Sequence, residues 1–196
     1  MTPLRSLRTL GMVVTAVASL SCGGDSGTAP DGGGTLVIQM HDAPFNDALA
    51  VLVTFSDVSV RSDDGDMEGL GFEGGGSRTC DLKRLEDGHN EVLASGSPPE
   101  GRYTQIRLAI ADAHLFFEND TQLPACRANR QNPGGRARAV SVPAAVVTLD
   151  REFEVRENTR TTITLDFDGE KSFLAGGAAG LFNLNPVVRV VSIDGP

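Results

Sequence analysis

The sequence predicts an all-β fold, an antiparallel β-sandwich, and three observations carry that prediction. From Thr35 onward the dominant hydrophobic period is two, the period of a strand with one buried face. Seven or so such runs are separated by turn residues, the pattern of a sandwich rather than of an α/β sheet. Helical periodicity is thin, since only Ala43 to Leu52 and Leu82 to Leu93 could hold a helical turn or two.

In chain order, Leu36, Ile38 and Met40 form one apolar face while Thr35, Gln39 and His41 lie on the other, and Asp42-Ala43-Pro44 ends the strand. The next strand begins near Leu49 with Val51, Val53 and Phe55 in phase and resumes as Val58 and Val60 in the opposite phase. That slip predicts a β-bulge near Ser56-Asp57. Tyr103 to Ile110 alternates again, with Ile106, Leu108 and Ile110 set against Gln105 and Arg107. Phe153 and Val155 are expected to pair with Ile163, Leu165 and Phe167 as a hairpin across Glu157-Asn158. Val187 to Ile193 is apolar on both faces except at Arg189 and Ser192, which predicts a strand covered on both sides. Two long loops are expected, Ser62 to Arg78 and Asn119 to Arg138.

Residues 1–21 read as an export signal, with Arg5 and Arg8 ahead of a short apolar stretch from Met12 to Leu20. Ser19-Leu20-Ser21-Cys22 resembles a bacterial lipobox, so Cys22 is the expected lipidation site and residues 22–34, rich in Gly, Ser, Asp and Pro, the tether. A competing cleavage after Ala16-Val17-Ala18 gives a secreted soluble protein instead. Residues 35–194 then form a single β-sandwich domain. This reading anchors a monomeric domain in the cell envelope, at the outer membrane, facing the periplasm or the surface.

The chain of 196 residues holds 17 Lys and Arg against 26 Asp and Glu, a net charge of -9. The leader carries two Arg and no acid, so its removal leaves -11. With no long basic run to offset that charge, electrostatics disfavours a nucleic-acid partner, and none is expected. Of the 3 Cys, lipidation of Cys22 leaves Cys80 and Cys126 as a pair expected to bridge outside the cytosol. The alternative, a metal site on those two sulfurs, lacks the close ligand spacing of a zinc module.

Five blocks, taken in order, resemble a known family: residues 34–44, 51–60 and 101–108, then Thr164-Leu-Asp-Phe-Asp168 with Lys171-Ser172, and residues 184–190. The sequence is similar, from about Gly34 to Ile193, to the bacterial and archaeal family called domain of unknown function 4382. The resemblance implies a lipid-anchored or secreted β-sandwich, immunoglobulin-like or prealbumin-like and akin to carbohydrate-binding folds, with no established activity.

Signatures of catalysis are missing. Gly69-Leu-Gly-Phe-Glu-Gly74 has dinucleotide-type spacing but leads into Gly75-Gly76 rather than a helix. His41, His89 and His114 have no recognisable Ser or Cys partner, and no cofactor is implied. Asp63, Asp64, Asp66 and Glu68 crowd one Gly-containing loop, which suits calcium or, more plainly, a solvated acidic loop. Arg127, Arg130, Arg136 and Arg138 would suit an anionic partner, or simply keep a loop soluble. Asp42 reads as a turn-former bonding its own backbone, and Asp166 and Asp168 as outward polar residues or a cap. With no Trp, a single Tyr and 9 Phe mostly in core phase, the chain offers few flat surfaces for sugar rings, and the Tyr103 hydroxyl is expected to bond backbone at a sandwich corner. The functional expectation is therefore a non-enzymatic, lipid-anchored envelope binding or scaffold module, whose partner is an envelope protein or glycan. A glycan-binding module and a cryptic hydrolase are the alternatives.

Overall fold

The computed structural model describes residues 33–43, 48–118, 124–128, 132–143, 145–176 and 181–195. The expected signal peptide, Cys22, most of the tether and Arg130 lie outside the described residues.

The fold is all-β and sandwich-like. Strands β1 (Thr35–Ala43), β5 (Glu91–Gly96), β10 (Arg160–Asp168) and β13 (Val188–Asp194) form a four-stranded sheet in the order β13-β10-β1-β5. The larger sheet is built on two long strands, β2 (Ala50–Ser62) and β6 (Gly101–Phe116). Beside β2 lie β3 (Met67–Leu70) and β4 (Arg78–Asp81), with β7 (Cys126–Arg127) next to β4. Beside β6 lie β8 (Ala137–Ser141) and β9 (Val146–Val155), and β11 (Phe173–Ala175) and β12 (Phe182–Leu184) continue the sheet from β8. A Gly71–Ser95 bridge links the two sheets. Pairing is antiparallel except between β1 and β10 and between β8 and β12.

The alternation read from the sequence builds the core. Leu36, Ile38 and Met40 of β1 and Ile163, Leu165 and Phe167 of β10 face Val51, Val53, Phe55, Ile106 and Leu108 of the large sheet, all completely buried. Val58 and Val60 join the same core because the β2–β6 register skips Ser56 between Phe55 and Asp57, where the bulge was expected. Tyr103 is 2% exposed, stacks on Phe153 with centroids 5.3 Å apart, and donates its hydroxyl to the Pro99 carbonyl at 2.8 Å. Because Phe keeps the stack and loses only that bond, Tyr103→Phe should cost about 1 kcal/mol in chemical denaturation. A loss near zero would mean that the bond contributes nothing.

Several sequence expectations are corrected. The strands of the expected 153–167 hairpin do not pair: β9 pairs with β6, whereas β10 pairs with β1 and β13. The chain crosses from one sheet to the other at the turn holding Asn158 (φ 56°), and alternation reports which face is buried without naming the neighbour. The last strand is a sheet edge with Val191 53% exposed rather than a doubly covered strand. Ser62 to Arg78 is no loop, since it contains β3 and one residue of β4, and β7 lies within Asn119 to Arg138. Among the described residues there are thirteen strands rather than seven, the additional ones being mostly short and dependent on their neighbours. Ala43 to Leu52 shows no helix among its described residues, and Leu82 to Leu93 holds only a 3-10 turn, Leu82–Arg84, before β5.

Strand directions give the sandwich two distinct ends. At the near end the chain enters at Gly33, which bridges Pro99, and passes Arg156 so closely that a side chain on Gly34 would collide with the Arg156 carbonyl oxygen. Short turns, 63–66, 97–100 and 156–159, sit there. The longer connections begin and end at the far end: 44–49 between Ala43 and Ala50, 82–90 after β4, 117–136 between the paired residues Phe116 and Ala137, and 169–187 after β10.

Candidate functional site

Three strands place one polar residue each in a row across the outer face of the four-stranded sheet. His41 on β1 lies opposite Asp166 on β10, and Asp166 lies opposite Arg189 on β13. The Asp166 carboxylate is 2.6 Å from Arg189 Nε and 3.5 Å from His41 Nδ1, and its side chain is completely buried beneath them. Asp166 does face outward, as alternation requires. It is nonetheless no solvated surface residue, because side chains from both flanking strands cover it and the Arg189 guanidinium compensates its charge. Asp168, in contrast, caps the short helix α1 (Gly169–Ser172), accepting the Lys171 amide at 3.0 Å, and the adjacent Lys171 ammonium holds its carboxyl below the usual range.

Beside this row runs a groove of about 480 Å³ between the sheet and the 86–90 segment, which reverses through the left-handed residues Asp87 and Gly88. Gln39, His41, Asp42, Asn90, Thr164 and Ser192 line it. Asp42 is 4% exposed, and the turn that its side chain was expected to form lies outside the described residues. Its own amide donates to the Leu85 carbonyl at 3.1 Å, tying β1 to the turn after β4. Burial, reinforced by the nearby carboxylates of Glu86 and Asp166, pushes the Asp42 carboxyl up to about 8, against weaker opposing pulls from the Gly169 amide and Lys83.

The acidic residues Asp63, Asp64, Asp66 and Glu68 do come together, lining a cleft of about 170 Å³ at the near end with Glu100 and Arg102. Their turn is held by backbone bonds, Ser62 to the Asp66 carbonyl at 2.9 Å and Asp63 to the Arg102 carbonyl at 3.0 Å. Among the described residues no three His, Cys, Asp or Glu side chains converge as a cation site. The arginines are dispersed. Arg127 on β7 is partly buried, which holds its guanidinium below the usual range against the opposing pull of nearby Asp81. Arg138 on β8 lies 5.3 Å over the Phe117 ring, and three strands, β6, β2 and β4, separate β8 from β7. Arg136 is exposed. Arg127 and Arg138 are therefore not brought together, and Arg130 lies outside the described residues. Cys80 and Cys126 are bridged, on directly opposed residues of β4 and β7. The Gly69 to Gly74 pattern spans β3 and a glycine turn, with no helix after it.

Sequence reasoning missed the His41–Asp166–Arg189 row. Its one signal was Arg189, a lone charge in an otherwise apolar strand, which in an outer strand calls for a cross-strand partner.

The chain matches, over residues 33–186, the model of the family described as Domain of unknown function (DUF4382), and it belongs to that family. No curated protein and no solved structure matches it.

Proposed function

We propose that this member of the DUF4382 family is a non-enzymatic, lipid-anchored module of the cell envelope that binds its partner through the groove on the four-stranded sheet and the long connections at the far end. The carrying observation is the polarity of the sandwich: the chain enters at Gly33 at one end, while β1, β4, β6 and β10 run out, and β2, β5, β8 and β13 begin, at the other. An acylated Cys22 would therefore hold the near end toward the membrane and leave the far end free. Up to about 12 residues of tether, at roughly 3.3 Å each when extended, would give the domain some 40 Å of reach.

A binding role is favoured over hydrolysis by the state of the polar groups. His41 faces an aspartate already paired with Arg189, and the Ser192 hydroxyl donates to Asp194 at 2.9 Å rather than to an imidazole. A glycan reading is less favoured, since no aromatic residue is among the exposed large hydrophobics of the described chain.

Two measurements test the proposal. Cys22→Ser should release the protein from membranes with its circular dichroism spectrum unchanged; retention on membranes would refute the anchor. A photo-crosslinking residue at exposed Asn90, on the groove rim, should capture an envelope component in living cells, and one at exposed Glu157, at the near end, should not. Equal capture at both positions, or capture at Glu157 alone, would refute the assigned face.

A further inference from the structure

The larger sheet carries a cavity of its own, of about 540 Å³, lined by Arg61, Thr104, Gln105, Asp150, Arg151 and Glu152. Arg61 follows the core residue Val60 on β2, which places it on the outer face of that sheet. Two irregularities in the pairing shape the cavity. β2 pairs Arg61 with Gln105 and Ser62 with Tyr103, skipping Thr104, while β9 pairs Asp150 with Gln105 and Phe153 with Tyr103, so that Arg151 and Glu152 stand opposite Thr104 alone. Bulges of this kind bend a strand and re-aim its side chains. The acids of the cavity are engaged: Gln105 Nε2 donates to Asp150 Oδ1 at 2.8 Å, and Glu152 pairs with Arg102. Its own cations are not. Arg61 and Arg151 are exposed, and their guanidinium groups form no ion pair or hydrogen bond among the described residues. Two like charges on one cavity repel each other, and an anion seated between them relieves that repulsion.

We propose that this cavity binds a phosphate monoester that also bears a primary ammonium group, with the phosphate between Arg61 and Arg151 and the ammonium on Asp150. The site lies on the other sheet from the groove and does not depend on the groove's role. β9 and β2 flank β6, so the two arginines start from backbones about 10 Å apart, close enough for both side chains to reach one phosphate above β6. Guanidinium forks match phosphate oxygens in pairs, and the Thr104 hydroxyl can add a donor. Asp150 keeps Oδ2 clear of the Gln105 bond, as an acceptor for the ammonium.

Charge balance selects this ligand among related ones. With Arg102 included, three arginines face the two carboxylates of Asp150 and Glu152, which leaves the site one net positive charge. A monoester of charge up to about −2 with its own ammonium complements that. An anion without an ammonium would meet the Asp150 carboxylate with nothing to offset it. A phosphodiester with an ammonium has no net charge and leaves one guanidinium uncompensated. A trimethylammonium has no N–H to give Asp150, and the lining holds no aromatic ring to receive it.

The test is an NMR titration of the full exported chain carrying Cys22→Ser, with phosphoethanolamine as probe at low salt, since exposed charges are screened as salt rises. Saturable shifts should gather on the amides of Arg61, Thr104, Gln105 and residues 150–152. Phosphocholine, which lacks the N–H donors, and glycerophosphoethanolamine, a diester, should each bind about fivefold more weakly or worse. Arg61→Gln and Arg151→Gln should each weaken phosphoethanolamine about tenfold. Asp150→Asn should keep the phosphate contact and erase the preference over phosphocholine. Arg160→Gln, at an exposed residue of β10 outside the cavity, should change affinity by less than about twofold. All four substituted side chains are exposed, so the fold should be retained, and unchanged shifts of the core amides check this. Absence of saturable shifts at these amides, or equal affinity for phosphoethanolamine and phosphocholine, would overturn the proposal. Equal weakening by Arg160→Gln would do the same, by reducing the effect to general attraction between a phosphate and scattered arginines.

Discussion

Asp42→Asn is expected to stabilise the domain, and by an amount that grows with pH. In the unfolded chain this carboxyl titrates near 3.8, whereas in the folded domain burial beside Glu86 and Asp166 holds the proton up to about 8. Between those two values the folded state carries one more proton than the unfolded state. Stability therefore falls as pH rises, by about 1.4 kcal/mol per pH unit, and levels off once the folded group has ionised. The accumulated cost is on the order of 5 kcal/mol above pH 8, a large fraction of the stability of a domain this size. An Asn side chain has no charge to bury and escapes it. The difference in unfolding free energy between variant and parent, measured by chemical denaturation, should be close to zero near pH 4 and several kcal/mol at pH 8.5. Asp81, also raised by burial, titrates in both proteins and cancels from the difference. Parallel pH profiles would show that Asp42 is ionised in the folded domain, or is satisfied by other groups.

How far the sequence reveals this arrangement depends on which physical signal each part leaves. Period two marks the faces of β1, β2, β6 and β10 because one side of each strand must be apolar, and even the β2 bulge is visible as a phase slip between Phe55 and Val58. Partnership leaves no such mark. Ile163 and Leu165 look as well suited to Phe153 and Val155 as to Ile38 and Met40, and the choice of the parallel β1 neighbour is made by the closing of two sheets over one core. Strands as short as β7, β11 and β12 exist because longer neighbours offer free edges. The site suffers from the same blindness. His41, Asp166 and Arg189 come from three separate segments, each ordinary alone, and become a row only through the order β1-β10-β13. Asp42 is hidden for a different reason: Asp-Ala-Pro is a common way to leave a strand, and nothing in it announces a buried residue whose amide donates to Leu85 in the turn after β4.

Replacing both Cys80 and Cys126 by Ala is expected to cost up to about 4 kcal/mol, the chain-entropy value for a loop closed by cysteines 46 residues apart. The loss should be local in its dynamic effect. β7 is two residues long, is the last strand of its sheet, and is attached through only two register pairs to β4, so the bridge is its principal fixture. β4 itself also pairs with β2 over Leu52 to Phe55, and the sheet β13-β10-β1-β5 does not depend on the bridge. Hydrogen exchange on the variant should show residues 124–128 losing most of their protection while β1, β2, β6 and β10 keep their ranking. Ala suits this test because Cys80 is completely buried, and a Ser hydroxyl there would add an unpaired polar group to the effect of the lost bridge. A uniform loss of protection across both sheets would mean that the bridge supports the whole core. Unchanged stability would mean that the cross-link restrains a segment whose freedom in the unfolded chain was already small.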